Sequence, residues 1–174
     1  MILLVLLLVA ALGIAHALEP DHIVTLRLMK GVKSYVFFGV SHGLGFALIA
    51  LPLTLAFSFY RQAEIIGDVI ALAFAVLLIY GEIRGVEIEV SPRGSGVLQG
   101  AFAVTPSKVA IAIIASEQGL LIGAISIGLF ILTSTIFIIL VGVLLTFVPS
   151  RVEKYINISL GFITIIFVLL QTLI

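Results

Sequence analysis

Residues 2–26 read ILLVLLLVAALGIAHALEPDHIVTL. The run is apolar for long enough to cross about 30 Å of hydrocarbon as a helix. Its second half nevertheless carries His16, Glu19, Asp21 and His22, with Pro20 among them. Ionisable groups inside a membrane span are expensive and by default mark a functional site. This one stretch therefore predicts a membrane helix that is interrupted at its chemistry.

The rest of the chain follows the same pattern. Of 174 residues, 62% are hydrophobic and 10% charged, and the mean hydropathy is +1.38. A soluble core of this size cannot bury that much apolar surface, so lipid is the expected solvent. Further runs of spanning length lie at about 35–59, 65–81, 96–116, 119–147 and 154–173, which makes six. The segment 82–95 holds five charges, Pro92 and two glycines, and reads as the mid-chain loop. It divides a single integral membrane domain, 1–174, into halves 1–81 and 96–174.

The halves resemble each other at a shift of 86 residues, which lays Glu19-Pro20-Asp21-His22 on Thr105-Pro106-Ser107-Lys108. With three spans per half, the second copy enters the membrane from the opposite side. The expected fold is an all-α membrane protein: six transmembrane helices as two inverted three-helix repeats, with a proline-broken first helix in each half. Arg27, Lys30, Lys33, Arg84, Arg93, Arg151 and Lys154 fall after odd-numbered spans, and Arg61 alone in an even loop. By the positive-inside bias the protein is multi-pass in the plasma membrane with both termini outward. Ala15-His16-Ala17 also has the small-residue look of a signal-peptide cleavage site, but no basic residue precedes the apolar run.

Nine basic residues balance nine acidic ones, so nothing points to nucleic acid. The lack of cysteine removes thiolate metal sites and disulfide relays. The three histidines are His16 and His22 in the first span and His42 in the second. On an unbroken helix His16, Glu19 and His22 form a slanted stripe, with Asp21 pointing away from its middle. Pro20 has no N–H for the His16 carbonyl, which predicts a kink and a free carbonyl there. Imidazole with carboxylate suits nickel, cobalt, zinc or manganese, whereas copper(I) favours sulfur and calcium or magnesium favour oxygen. A blander reading makes His16 and His22 interfacial, pairs Glu19 and Asp21 with Arg27 and Lys30, and leaves His42 as a packing residue in Gly39-Val-Ser-His42-Gly-Leu-Gly45.

His16-Ala-Leu-Glu19-Pro20-Asp21-His22 resembles the first signature of the nickel/cobalt transporter family, a histidine, four residues, then aspartate and histidine. Ser41-His42-Gly43 resembles the histidine of that family's second signature. The likeness covers about residues 9–50 and, by topology, the broader group of six-helix exporters and permeases. It implies His16, Asp21 and His22 as metal-recognition residues, with His42 as a further ligand; Glu19 completes the expected set. The acidic signatures of that family's later helices have no counterpart, since the second half offers Thr105-Pro106-Ser107-Lys108.

The expected function is transport of a divalent transition metal, nickel or cobalt and possibly zinc, by alternating access. No enzymatic activity and no resident cofactor are expected. Metal ion and membrane lipid are the expected partners, with room for a homo-oligomer or further transport subunits. Two other readings stand beside it: an exporter of a small anion that uses Lys108 and the helix turn opened at Pro106, and a non-transporting metal-binding subunit. Asp68 and Glu64 are candidates for proton relay or extra ligation, with a solvated helix end the plainer reading for Glu64. Lys108 is expected to pair with Glu19 or Asp21, or else to snorkel to a headgroup.

Overall fold

The computed structural model describes residues 2–50, 60–86, 88–103 and 105–173. Among these residues the secondary structure is entirely helical. The first half contributes α1 (Ile2–Ala17), α2 (Pro20–Arg27), α3 (Val32–Gly45) with a π-helical turn at Phe46–Ala50, and α4 (Tyr60–Arg84). The second contributes α5 (Pro92–Phe102), α6 (Pro106–Glu117), α7 (Gly119–Leu145) and α8 (Ser150–Leu173).

Three helices start by one device, a proline in the first helical turn preceded by an extended residue. Glu19 (φ −61°, ψ 140°) precedes Pro20, Ser91 (φ −65°, ψ 116°) precedes Pro92, and Thr105 (φ −91°, ψ 160°) precedes Pro106. The first apolar stretch thus becomes α1 and α2, bent by 47°, and the fourth becomes α5 and α6, bent by 60°. The expected breaks at Pro20 and Pro106 are present. The His16 carbonyl is not free, however: the Glu19 N–H reaches back to it at 3.1 Å and closes a tight turn.

The mid-chain connection is shorter than 82–95, because α4 continues through Arg84 and α5 already starts at Pro92. Gly85, at φ +65°, ends α4 in the left-handed conformation, and the Val86 N–H caps the Gly81 carbonyl at 3.0 Å. At the other end Ser91 accepts a hydrogen bond from the Gly94 N–H and so nucleates α5 ahead of the apolar run. Gln118 alone separates α6 from α7, and Gly119, at φ +75°, makes the turn between them.

Leu121–Leu145 and Val152–Leu170 are each long and apolar enough to cross a membrane, and each bent pair meets the same test as a unit. The expected third span lies within α4. Residues 51–59, the end of the expected second span, lie outside the described residues. Helix α1 packs on α6 and α7, α3 on α5 and α7, α4 on α8, and short α2 is enclosed by α4, α7 and α8. Large aliphatics such as Leu3, Leu4, Leu121 and Leu144 face outward, while Asp21, the three histidines, Gln99, Lys108, Ser126, Asn157 and Thr164 are buried. That inversion of the usual soluble distribution agrees with an apolar surrounding.

Candidate metal centre

The break at Leu18-Glu19 turns the end of α1 toward the start of α2, and both face α3. The effect is convergence. His16 Nε2 lies 3.0 Å from His42 Nε2, and His22 Nε2 lies 3.3 Å from the same atom. Two nitrogens bound to one ion at about 2.0–2.1 Å lie about 2.9 Å apart at a right angle and about 3.4 Å apart at the tetrahedral angle. The two observed separations fall inside that interval, and one ligand nitrogen from each of the three rings lies within 4.8 Å of the others.

The outer ring nitrogens face carboxylates. His16 Nδ1 is 2.8 Å from Glu19 Oε2. His22 Nδ1 is 3.1 Å from Asp21 Oδ1 and 3.9 Å from Glu19 Oε2. A carboxylate beside Nδ1 draws the proton to that atom and leaves the Nε2 lone pair for a metal. The Asp21–His22 contact is close but lacks hydrogen-bond alignment, so Asp21 Oδ1 and His22 Nδ1 join His42 Nδ1 and Gln99 Oε1 as buried atoms without a hydrogen-bond partner. Four such atoms around three imidazoles are a costly arrangement unless a ligand belongs there. His16 and His22 are fully buried, His42 is 2% exposed and Asp21 4%. Glu19 is the most open of the five, with its side chain 13% exposed. Phe130 stacks at 5.3 Å on His16, and Phe38 flanks His42 at 5.8 Å, which walls the site with apolar rings.

All five metal-site residues read from the sequence therefore gather in one place. The ion pairs of the bland alternative are not the ones formed among the described residues, where Arg27 pairs with Glu153 and Lys30 with Glu89. Asp68 lies part-buried on α4 and belongs to neither of the two groups, among the described residues, whose ligand atoms lie close enough together for a metal ion. The side chains of Glu64 and Pro106 lie outside the described residues.

Lys108 departs from both expectations. It forms no ion pair with Glu19 or Asp21, and being fully buried it does not snorkel. Its ammonium donates to the carbonyls of Gln99 at 3.0 Å, Gly100 at 3.1 Å and Ala103 at 2.7 Å, with Phe46 beside it at 5.7 Å. The reason is local: α5 ends six residues upstream, and the carbonyls of its last turn and of its C-cap residue Ala103 carry the negative end of the helix dipole.

Four supporting residues escaped the sequence reading. Ser107 Oγ donates to Glu19 Oε1 at 2.8 Å and lies 3.0 Å from His16 Nδ1, and Thr105 Oγ1 lies 3.3 Å from the same nitrogen. Gln99 donates to Thr25 Oγ1 at 2.6 Å and reaches the Asp21 carbonyl at 3.5 Å, while Thr25 donates to that carbonyl at 2.8 Å. The 86-residue repeat held the signal for two of them, since it lays Thr105 on Glu19 and Ser107 on Asp21. Comparison of the chain with protein-family models, with curated proteins and with solved structures found no match.

Proposed function

We propose that this chain is a multi-pass plasma-membrane transporter for a divalent transition-metal ion, nickel or cobalt in the first place and zinc as a further cargo. The observation that carries the reading is the meeting of three buried Nε2 atoms at 3.0 and 3.3 Å, with carboxylates behind two of the rings. Neutral imidazoles supply borderline-soft ligands, and two carboxylates offset the charge of a dication that has left its water behind. The resemblance of residues 16–22 to the nickel/cobalt family's first signature favours those ions.

In this reading six crossings form two inverted three-helix repeats, with both termini outward. The bent pairs α1–α2 and α5–α6 are the first elements of each half. His16 and His22 ride on α1 and α2, and His42 on α3, which packs on α5. Movement of the α3–α5 pair against α1–α2 parts His42 from its two partners and dissolves the ligand set, which releases the ion without covalent chemistry.

The anion-exporter reading loses its main support, because three carbonyls already take up the Lys108 ammonium. A non-transporting metal-binding subunit has the same site, and only flux separates the two. The test is uptake into liposomes across a panel of nickel, cobalt, zinc and manganese ions. Purified protein should move nickel or cobalt, and the His16→Ala, His22→Ala double variant should not. Equal rates in the two proteins would overturn metal transport through this site; tight binding without flux would favour the subunit.

A further inference from the structure

We propose that Lys108 is a positioning residue for the three-histidine site, acting through the last turn of α5. The inference rests on the metal-site reading and adds to it a residue from the other half of the chain. An ammonium has three donors and no acceptor, and here three terminal carbonyls of one helix receive them. Because Lys108 belongs to α6, this contact fixes the two limbs of the bent α5–α6 pair to each other.

Two of the three residues whose carbonyls it holds, Gln99 and Gly100, touch the ligand helices. From Gln99 the side-chain amide reaches Thr25 and the Asp21 carbonyl on α2. At Gly100 the backbone lies against His42 so closely that an added Cβ would come within 2.9 Å of the His42 carbonyl carbon and 3.0 Å of its Cα. One turn of α5 is thus wedged between α2, which carries His22, and α3, which carries His42. The ammonium that closes this turn sets the spacing between those two rings. His16 Nδ1 is held within the α1–α2 pair itself, by Glu19 three residues on, while its Nε2 faces His42.

That separation gives the proposal its test. The chain has only three histidines, so protein labelled with nitrogen-15 at histidine reports each site ring in a metal-free sample. In Lys108→Met the Nε2 signals of His22 and His42, and of His16 where it faces His42, should move while the His16 Nδ1 signal, set by Glu19, stays. General loosening would shift the His16 Nδ1 signal as well, and that outcome would overturn a positioning role. Cobalt(II) titration of the same proteins, followed by the visible absorption of the bound ion, should show affinity reduced by roughly tenfold, as for other groups that orient ligands. A folded Lys108→Met with wild-type histidine signals and wild-type cobalt affinity would overturn the proposal. If that variant does not fold, Gln99→Leu removes the arm to α2 and leaves the carbonyl under the ammonium; unchanged His22 signals there overturn it equally. Wild-type protein that binds no cobalt would instead refute the metal reading, and the metal-free signals would still decide whether Lys108 positions the rings.

Discussion

Glu19 lies where two lines of hydrogen bonding cross. One carboxylate oxygen faces His16 Nδ1 and the other accepts from Ser107. Its charge holds the proton on Nδ1, so Glu19→Gln should weaken the preference for that tautomer while keeping the side chain's size. Metal affinity is expected to fall by roughly 10–100-fold, measured by competition with a chromophoric chelator. Ser107→Ala removes only a neutral donor and should cost less than Glu19→Gln; the reverse order would mean that the hydroxyl, not the charge, orients the ring. At this scale the sequence was legible wherever a residue was costly in lipid. Two histidines and two acids around one proline, with a third histidine in the next apolar run, announce themselves. Thr105, Ser107 and Gln99 do not, because a neutral polar side chain is cheap at many places in a helix and only the packing of α5 and α6 brings these to the site.

Gly96 and Gly100 lie one turn apart on the face of α5 that meets Ser41 and His42 of α3, and Gly45 of α3 meets Val97 and Ala101 in return. Small residues at this spacing let backbones approach closely. Gly100→Val should therefore destabilise the protein by about 1–3 kcal/mol through overpacking and displace His42. Gly128→Ala is the control: an added Cβ there meets nothing within 4 Å, so the exchange should be neutral or stabilise α7 by up to about 1 kcal/mol. Thermal unfolding in detergent reads both, and equal midpoints for the two variants would contradict the seam. The Gly39–Gly45 cluster marked α3 as a close-packing helix, yet its partner was hidden. Residues 92–95 read as loop because charge and glycine outweighed apolar content. Ser91-Pro92 is nonetheless a helix start, and α5 needs its first turn to carry Gly96 into the contact.

Arg27 shows what a count of loop charges leaves out at the scale of the whole molecule. It entered the topology argument as one cation among seven on the expected cytoplasmic side. In the structure its side chain is only 7% exposed and pairs with Glu153. It also donates to Asn157 Oδ1 at 2.5 Å and to the Leu145 carbonyl at 3.0 Å, while Asn157 passes the link on to Glu82 at 2.5 Å. The C-terminal end of α2, about 7–8 Å along the helix axis from His22, is thereby tied to α4, α7 and α8. Cavities of about 330 and 230 Å³, both lined by Arg27 and Glu153, flank this network. Asn157 is its buried member, 2% exposed, and it is acceptor to Arg27 and donor to Glu82 at once. Replacing it by leucine removes both bonds and leaves a largely desolvated guanidinium one partner short, which should cost about 1–3 kcal/mol. Lys30→Ala breaks an ion pair of 3.7 Å between side chains that are 59% and 61% exposed, and its effect should stay within about 1 kcal/mol. Both substitutions act on the same face of the molecule, so a comparable loss of thermal stability in the two would mean that surface charge, rather than the buried network, holds α2 in place.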